Sequence, residues 1–320
     1  MKKIFLFAMA AVLLMAGCVK EEISHNGNDG KVQVTFTANL PIEASRALVG
    51  DGSKVNELNY AIYDDAGELF ASYPYQDDVE VIDNHATVTL DLVKGQSYKI
   101  AFWAQHSDAP YTFDRQNGVV TVDYSGTVLS NDEKFDAFYV LEPITVTGPD
   151  VKTVTLRRPF AQINLGATKA DVVAAENLGI VIDKTKVTLS GVNTTLELFS
   201  GKAKDKTTAV VNFDYNALPG NDLTVNSVDY AYLAANYILA NGEADVTELE
   251  FVVRQGSDDI NTVKVPAVNY KRNYRTNILG YLFTSSSEWK IVIDENPAGE
   301  FNITEDTNGG FTNSEEVVFP

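Results

Sequence analysis

From Lys31 to Leu40 the chain alternates without a fault: Val32, Val34, Phe36, Ala38 and Leu40 are apolar, and every residue between them is polar. A period of two over ten residues predicts a half-buried β-strand, because successive side chains leave opposite faces of an extended backbone. Pro41 ends it, having no amide hydrogen to give to a ladder. The same signature recurs downstream. Leu58, Tyr60 and Ile62 alternate ahead of the hairpin chemistry of Asp64 to Glu68, and Val88, Leu90 and Leu92 lead through Lys94-Gly95 into Tyr98, Ile100, Phe102 and Ala104. Asn117-Gly118 opens a further turn before Val119 to Val122. Phe135 to Val140 and Val151 to Leu165 complete about seven strands, the spacing of a β-sandwich. Pro159 interrupts the last of these and predicts a bulge or an edge position there.

Lys169 to Leu178 is the best helical stretch, closed by Gly179. Strands then resume at Val187 to Leu189, Thr195 to Phe199, Ala209 to Phe213, Tyr230 to Leu239, Val246 to Arg254, Asn261 to Val265, Asn273 to Phe283 and Trp289 to Ile293. The absence of long helical patterns argues against a doubly wound nucleotide-binding fold. The expected class is all-β, two antiparallel β-sandwich domains of the transthyretin or immunoglobulin-like kind in series. We place them at residues 47–168 and 169–320, the second ending in an acidic tail.

The first 46 residues read differently. Lys2 and Lys3 precede an apolar run from Ile4 to Met15, too short to span a bilayer and arranged as a secretory signal peptide over residues 1–18. Met15-Ala16-Gly17-Cys18 resembles a bacterial lipobox, so Cys18 is the candidate lipidation site; a soluble secreted protein with a coincidental cysteine is the plainer alternative. Lys20, Glu21 and Glu22 behind it are similar to the export signal that sends Bacteroidetes lipoproteins to the outer face of the outer membrane. Residues 24–31 are a polar Gly/Asn-rich tether, and residues 19–46 comprise this tether and the first strand, which the family resemblance given below implies to be a removable propeptide.

Charge and composition narrow the function. The 320 residues carry 44 acidic and 25 basic side chains, a net of -19, which excludes nucleic acid as the expected partner. One cysteine and three histidines leave no material for disulfide scaffolds or Cys/His zinc sites. His25, His85 and His106 stand in no metal-ligand spacing, no Gly-x-Ser-x-Gly occurs, and Gly201-Lys202 lacks the rest of a phosphate loop. Acid pairs such as Asp64-Asp65, Asp77-Asp78, Asp258-Asp259 and Glu305-Asp306 read as turn residues and solubility charge rather than calcium ligands. We expect no catalytic residues, no metal, no cofactor and no enzyme activity. Trp103, Tyr111, Phe113 and Tyr124 have two readings, a stacking platform for sugar rings or ordinary core.

Beyond the first strand, Glu43 to Ser53 offers a lone arginine, small neighbours and glycines, which suits an exposed protease site at Arg46-Ala47. With the lipobox, the alternating strand, the Gly50-Asp51-Gly52 loop and Leu58 to Tyr63, this order resembles the fimbrillins of Bacteroidetes, the subunits of type V pili. Leu156-Arg157-Arg158-Pro159-Phe160-Ala161-Gln162-Ile163-Asn164-Leu165 and Tyr270-Lys271-Arg272-Asn273-Tyr274-Arg275-Thr276-Asn277-Ile278-Leu279-Gly280 agree with it. The resemblance implies an outer-membrane surface lipoprotein that an arginine-specific protease cuts after Arg46. The strand bearing Val32, Val34, Phe36, Ala38 and Leu40 then leaves, and a strand of another fimbrial subunit fills the groove. Its implied partners are other subunits, the maturation protease, the membrane through its lipid, and a host surface or glycan. A C-terminal donor strand would draw on Phe301, Ile303, Val317 and Phe319, a weaker alternation than residues 32–40. The alternative is a permanently anchored lipoprotein, binding glycan or host protein, in which the first strand stays put.

Overall fold

A computed structural model describes residues 30–41, 49–126, 128–243, 245–283, 289–294 and 317–318. The first strands are β1 (Lys31–Asn39), β2 (Glu57–Asp64), β3 (Val79–Glu80), β4 (His85–Val93) and β5 (Ser97–Gln105). Then come β6 (Tyr111–Asp114), β7 (Val119–Val122), β8 (Val128–Leu129), β9 (Phe138–Thr145), β10 (Asp150–Thr155) and β11 (Phe160–Thr168). Helix α1 (Lys169–Asn177) follows, and after it β12 (Lys184–Ser190), β13 (Asn193–Glu197), β14 (Ala203–Lys206), β15 (Val211–Ala217) and β16 (Asp222–Val225). The chain continues through β17 (Val228–Leu239), β18 (Asp245–Gln255), β19 (Asp258–Tyr270), β20 (Arg275–Gly280), β21 (Trp289–Asp294) and β22 (Val317–Val318).

These strands form four sheets. Sheet A runs β10-β1-β4 and sheet B runs β3-β2-β5-β9. Sheet C runs β22-β21-β20-β11-β17-β13-β7-β6, with β14 beside β13 and β16 beside β17, and sheet D runs β19-β18-β12-β15-β8. The inner faces of A and B share one core, built from Val34, Phe36, Leu90, Tyr60, Phe102 and Leu156 among others. Sheets C and D close over a second, which includes Leu165, Leu196, Phe213, Leu233 and Phe251. The protein is all-β, as its alternation predicts.

Sheet B serves both cores. From β2, Leu58, Tyr60 and Ile62 face the first core, while Ala61 and Tyr63 face the second. From β5, Ile100, Phe102 and Ala104 face the first, and Ala101 and Trp103 the second. A strand covered on both sides has no polar face to show, which is why Ala101 and Trp103 break the alternation.

Strands before residue 169 supply both pairs of sheets. After β5 the chain leaves sheet B for β6 and β7, which pair with each other and with β13, and for β8, which pairs with β15. It returns for β9 and β10, then crosses again into β11. The stretch Val151 to Leu165, expected as one strand, is therefore two. Pro159 is neither bulge nor edge residue but part of the corner between sheets A and C, and its carbonyl accepts from the Ala240 amide at 3.1 Å. The irregularity in β11 lies farther on, at Leu165/Gly166 opposite β17. Helix α1 starts where Thr168 accepts the Asp171 amide through its side chain, and Gly179 follows its end at a φ of 78°.

Gly166 sits at a crowded point of β11. An added Cβ would stand 2.8 Å from Leu279 Cδ2 and 3.0 Å from both Leu223 Cδ2 and Tyr230 Cβ. Gly166→Ala should destabilise the fold by about 1–3 kcal/mol through overpacking. The change would be read as a lower denaturation midpoint at unchanged slope.

Candidate functional site

Strand β1 lies in the middle of its sheet. It runs antiparallel to β4 from Lys31↔Val93 to Asn39↔His85, and parallel to β10 from Val34↔Asp150 to Asn39↔Thr155. Its ends are tied by Lys94 N donating to Gly30 O at 3.0 Å and by Leu40 N donating to Asn84 O at 2.8 Å. Val34, Phe36, Ala38 and Leu40 are buried against sheet B, and Val32 is half-buried. The Phe36 ring lies 5.5 Å from that of Phe102. Outward-facing Thr35 shares a hydrogen bond with Thr89 at 3.1 Å in solvent. At ~1.5–3 kcal/mol for each large side chain, burial of this face contributes roughly 5–10 kcal/mol before entropy. Because β1 is central, its seat is a slot between two strands, not a groove beside one sheet edge.

A second arrangement, which the sequence did not disclose, holds the chain just beyond residues 42–48. Arg158 Nη2 donates to Gly50 O at 2.6 Å, and Gln162 Nε2 donates to Val49 O at 3.2 Å. Arg158 also grips both carboxylate oxygens of Asp136, at 2.7 and 2.8 Å, with its guanidinium 4.4 Å from the centre of the Phe138 ring. Arg275 Nε donates to Gln162 Oε1 at 2.9 Å, and Gln162 Nε2 reaches Tyr237 Oη at 3.1 Å. Val49 itself is buried in a small cluster with Leu223, Val225, Tyr230, Tyr232, Ala235 and Leu279. Gly50 adopts a φ of 87°, and a Cβ there would come within 2.5 Å of Tyr237 Oη. Only glycine meets both demands.

Arg158, Gln162 and Arg275 come from the two motifs that carried the family resemblance. So do Asn164 and Asn277, which bond at 2.8 Å across β11 and β20 while Tyr232 Oη donates to Asn164 Oδ1. Polar residues inside otherwise apolar strands were the only available signal, since each is buried with partners far away in the sequence. Burial of an ion pair such as Arg158–Asp136 holds only when both charges stay paired.

Cys18, Lys20, Glu21, Glu22, Arg46 and Ala47 lie outside the described residues. The aromatic quartet is divided by the structure. Trp103 is fully buried, its Nε1 donating to Gln105 Oε1 at 2.6 Å, and buried Tyr111 donates to Phe135 O at 2.5 Å. Phe113 and Tyr124 are half-buried against the same core, and Tyr124 Oη accepts from the Leu239 amide. Burial pushes the Tyr111 hydroxyl well above its usual range. Trp103 and Tyr111 are core. Among the described residues no cluster of three His, Cys, Asp or Glu side chains could hold a metal ion, and no helix is long and apolar enough to cross a membrane.

Residues 26–316 match the model of a family of unknown function, DUF6562. The chain belongs to that family. No curated protein matches it. Among solved structures it is similar to a candidate cell adhesion protein from Bacteroides ovatus, at 12% identity over 83% of this chain and 96% of that one, with a TM-score of 0.49. A fimbrial assembly protein from Parabacteroides distasonis matches at 16% identity over 91% and 99%, with a TM-score of 0.43. A candidate polysaccharide-binding protein from Bacteroides thetaiotaomicron matches at 11% identity over 82% and 96%, with a TM-score of 0.48. Likeness of this degree assigns no function to the DUF6562 chain.

Two stability tests probe the site. Phe36→Ala should cost about 3–5 kcal/mol, whereas Thr35→Ala, on the exposed face, should stay within about 0.5 kcal/mol of the parent in chemical denaturation. Beside the clamp, Glu133 Oε2 accepts weakly from Gly50 N at 3.5 Å. Burial raises the Glu133 carboxyl above its ordinary value near 4.5, the Gly50 bond opposing it. A raised folded-state value contributes stability that is full at low pH and lost as pH rises through it. Relative to Glu133→Gln, the parent should therefore gain stability on acidification, measured as the difference between their denaturation midpoints across pH.

Proposed function

We propose that the chain is the precursor of an adhesion-type fimbrial subunit, exported as a surface lipoprotein and assembled by exchange of β1. In this reading Cys18 carries the lipid, Lys20, Glu21 and Glu22 direct export, and cleavage falls between Arg46 and Ala47. Its partners are other fimbrial subunits, the outer membrane through the lipid, the protease that matures it, and the surface or glycan the fibre meets.

The observation that carries the reading is the seat of β1. The strand contributes a whole apolar face, is central in its sheet, and leads directly into the segment that contains Arg46. Its removal would leave β4 and β10 with unpaired backbone on either side of an apolar slot, the arrangement that strand addition uses. The clamp on Val49 and Gly50 supports it from the other side. A cut after Arg46 would free everything before it while the new N-terminus stayed fastened three residues on. Of the rival, a permanently anchored lipoprotein binding glycan or host protein, the aromatic sugar platform loses Trp103 and Tyr111 to the core.

Treating the purified chain with an arginine-specific protease tests the proposal. The expected products are a chain beginning at Ala47, a released fragment containing residues 31–41, and oligomers by light scattering. A nicked chain that stays monomeric and keeps its first strand would falsify the exchange mechanism.

A further inference from the structure

We propose that residues 70–78 are a guard on the outer edge of β4, and that what they keep away is β4 of a second copy of this chain. The inference is separate from the exchange of β1, since it concerns the side of β4 that β1 does not touch.

β4 is the last strand of sheet A and pairs with β1 on one side only. Its opposite side would be a template for another strand if left bare. The amides of Asp91 and Val93 leave on that outer side, donating to Tyr73 Oη at 3.0 Å and to Tyr98 Oη at 3.1 Å. By the alternation of an extended backbone, the amides of His85, Thr87 and Thr89 leave on the same side. His85 N donates to Ile82 O at 3.0 Å. Among the described residues nothing accepts from Thr87 or Thr89 there. Side-chain caps thus shorten the open part of a nine-residue edge to residues 87–89, less than an ordinary strand needs.

The segment that delivers Tyr73 is fastened to sheet B and not to β4. Phe70 N donates to Ile62 O at 3.0 Å, Tyr75 Oη bonds both N and O of Ile62, and Gln76 N donates to Tyr60 Oη at 3.1 Å. Arg115 lies 4.9 Å from the centre of the Tyr75 ring and pairs with Asp77 at 2.6 Å. These ties do not involve Tyr73. Its ring packs on Tyr75 at 5.3 Å, and its hydroxyl is the part that reaches β4.

A second copy fits the edge because β4 is complementary to itself. Laid antiparallel about Thr89, Ala86 and Val88 meet Leu92 and Leu90 of the other copy. All four are less than 5% exposed and face the core, so the two apolar faces would run on as one. On the wet face Thr87 meets Asp91 and His85 meets Val93, so no like charges oppose each other. With Tyr73 removed, the outer amides of Thr87, Thr89 and Asp91 stand free together, enough for main-chain pairing between copies.

The test compares the purified parent chain, Tyr73→Ala and Tyr73→Ala/Thr89→Lys by sedimentation over a range of concentrations, with amide hydrogen exchange on each. The parent should stay monomeric. Tyr73→Ala should unfold cooperatively as the parent does, form dimers as concentration rises, and slow exchange at Thr87 and Thr89 as it does so. The added Thr89→Lys sets two like charges side by side on the dimer axis and should weaken association about fivefold or more. A folded Tyr73→Ala chain that stays monomeric overturns the guard. So does a parent that dimerises with Thr87 and Thr89 protected. Dimers that form as readily with Thr89→Lys, or without protecting Thr87 and Thr89, overturn the pairing of β4 with β4.

Discussion

Sheet A exists because β1 lies between β4 and β10, which make no ladder with each other. The cover of the first core's inner face by sheet A depends on that junction. Phe36 is seated against Phe102, which in turn packs on Tyr60, and among the described residues the sheet ladder of β10 is the parallel one to β1. A strand from the extreme N-terminal side of the fold thus finishes a layer whose other members come from residues 85–93 and 150–155. Closing loops of that length costs chain entropy, and the apolar face of β1 must repay it.

The second constraint is the buried polar seam where β11 meets β20. Gln162 and Arg275, and then Asn164 and Asn277, face one another across a parallel pairing. Hydrogen-bonded groups in such a place fix register more sharply than apolar contacts do, since a slip of one residue would orphan several of them at once. The same seam reaches Val49 and Gly50 through Gln162 and Arg158, so the alignment of the large sheet and the anchoring of the chain after β1 share their residues.

Strands with one wet face were legible in the sequence. β1 and β4 show clean alternation because one face meets the core and the other water, and α1 was readable from its Ala-rich run and closing glycine. What was hidden depends on contacts across the chain. Ala61 with Tyr63 and Ala101 with Trp103 look like lapses in a pattern until sheet B is seen to face two cores. Pro159 reads as a defect in one strand, though it turns the chain from one sheet to another. Arg158 and Gln162 were visible as a motif, but their partners Gly50, Val49 and Arg275 stand more than a hundred residues away, where no local pattern reaches.

The excursion of β6 to β8 carries a mechanical consequence. The backbone passes from one sandwich to the other after β5, back before β9, and across once more between β10 and β11. A force that draws the two sandwiches apart is therefore borne by three covalent connections side by side. In the second sandwich the strands of the excursion are held by the β7–β13 and β8–β15 ladders, and β11 by its ladders to β17 and β20. The fold is stitched where a simple string of beads would have a single thread, and such a body transmits tension without opening at its waist.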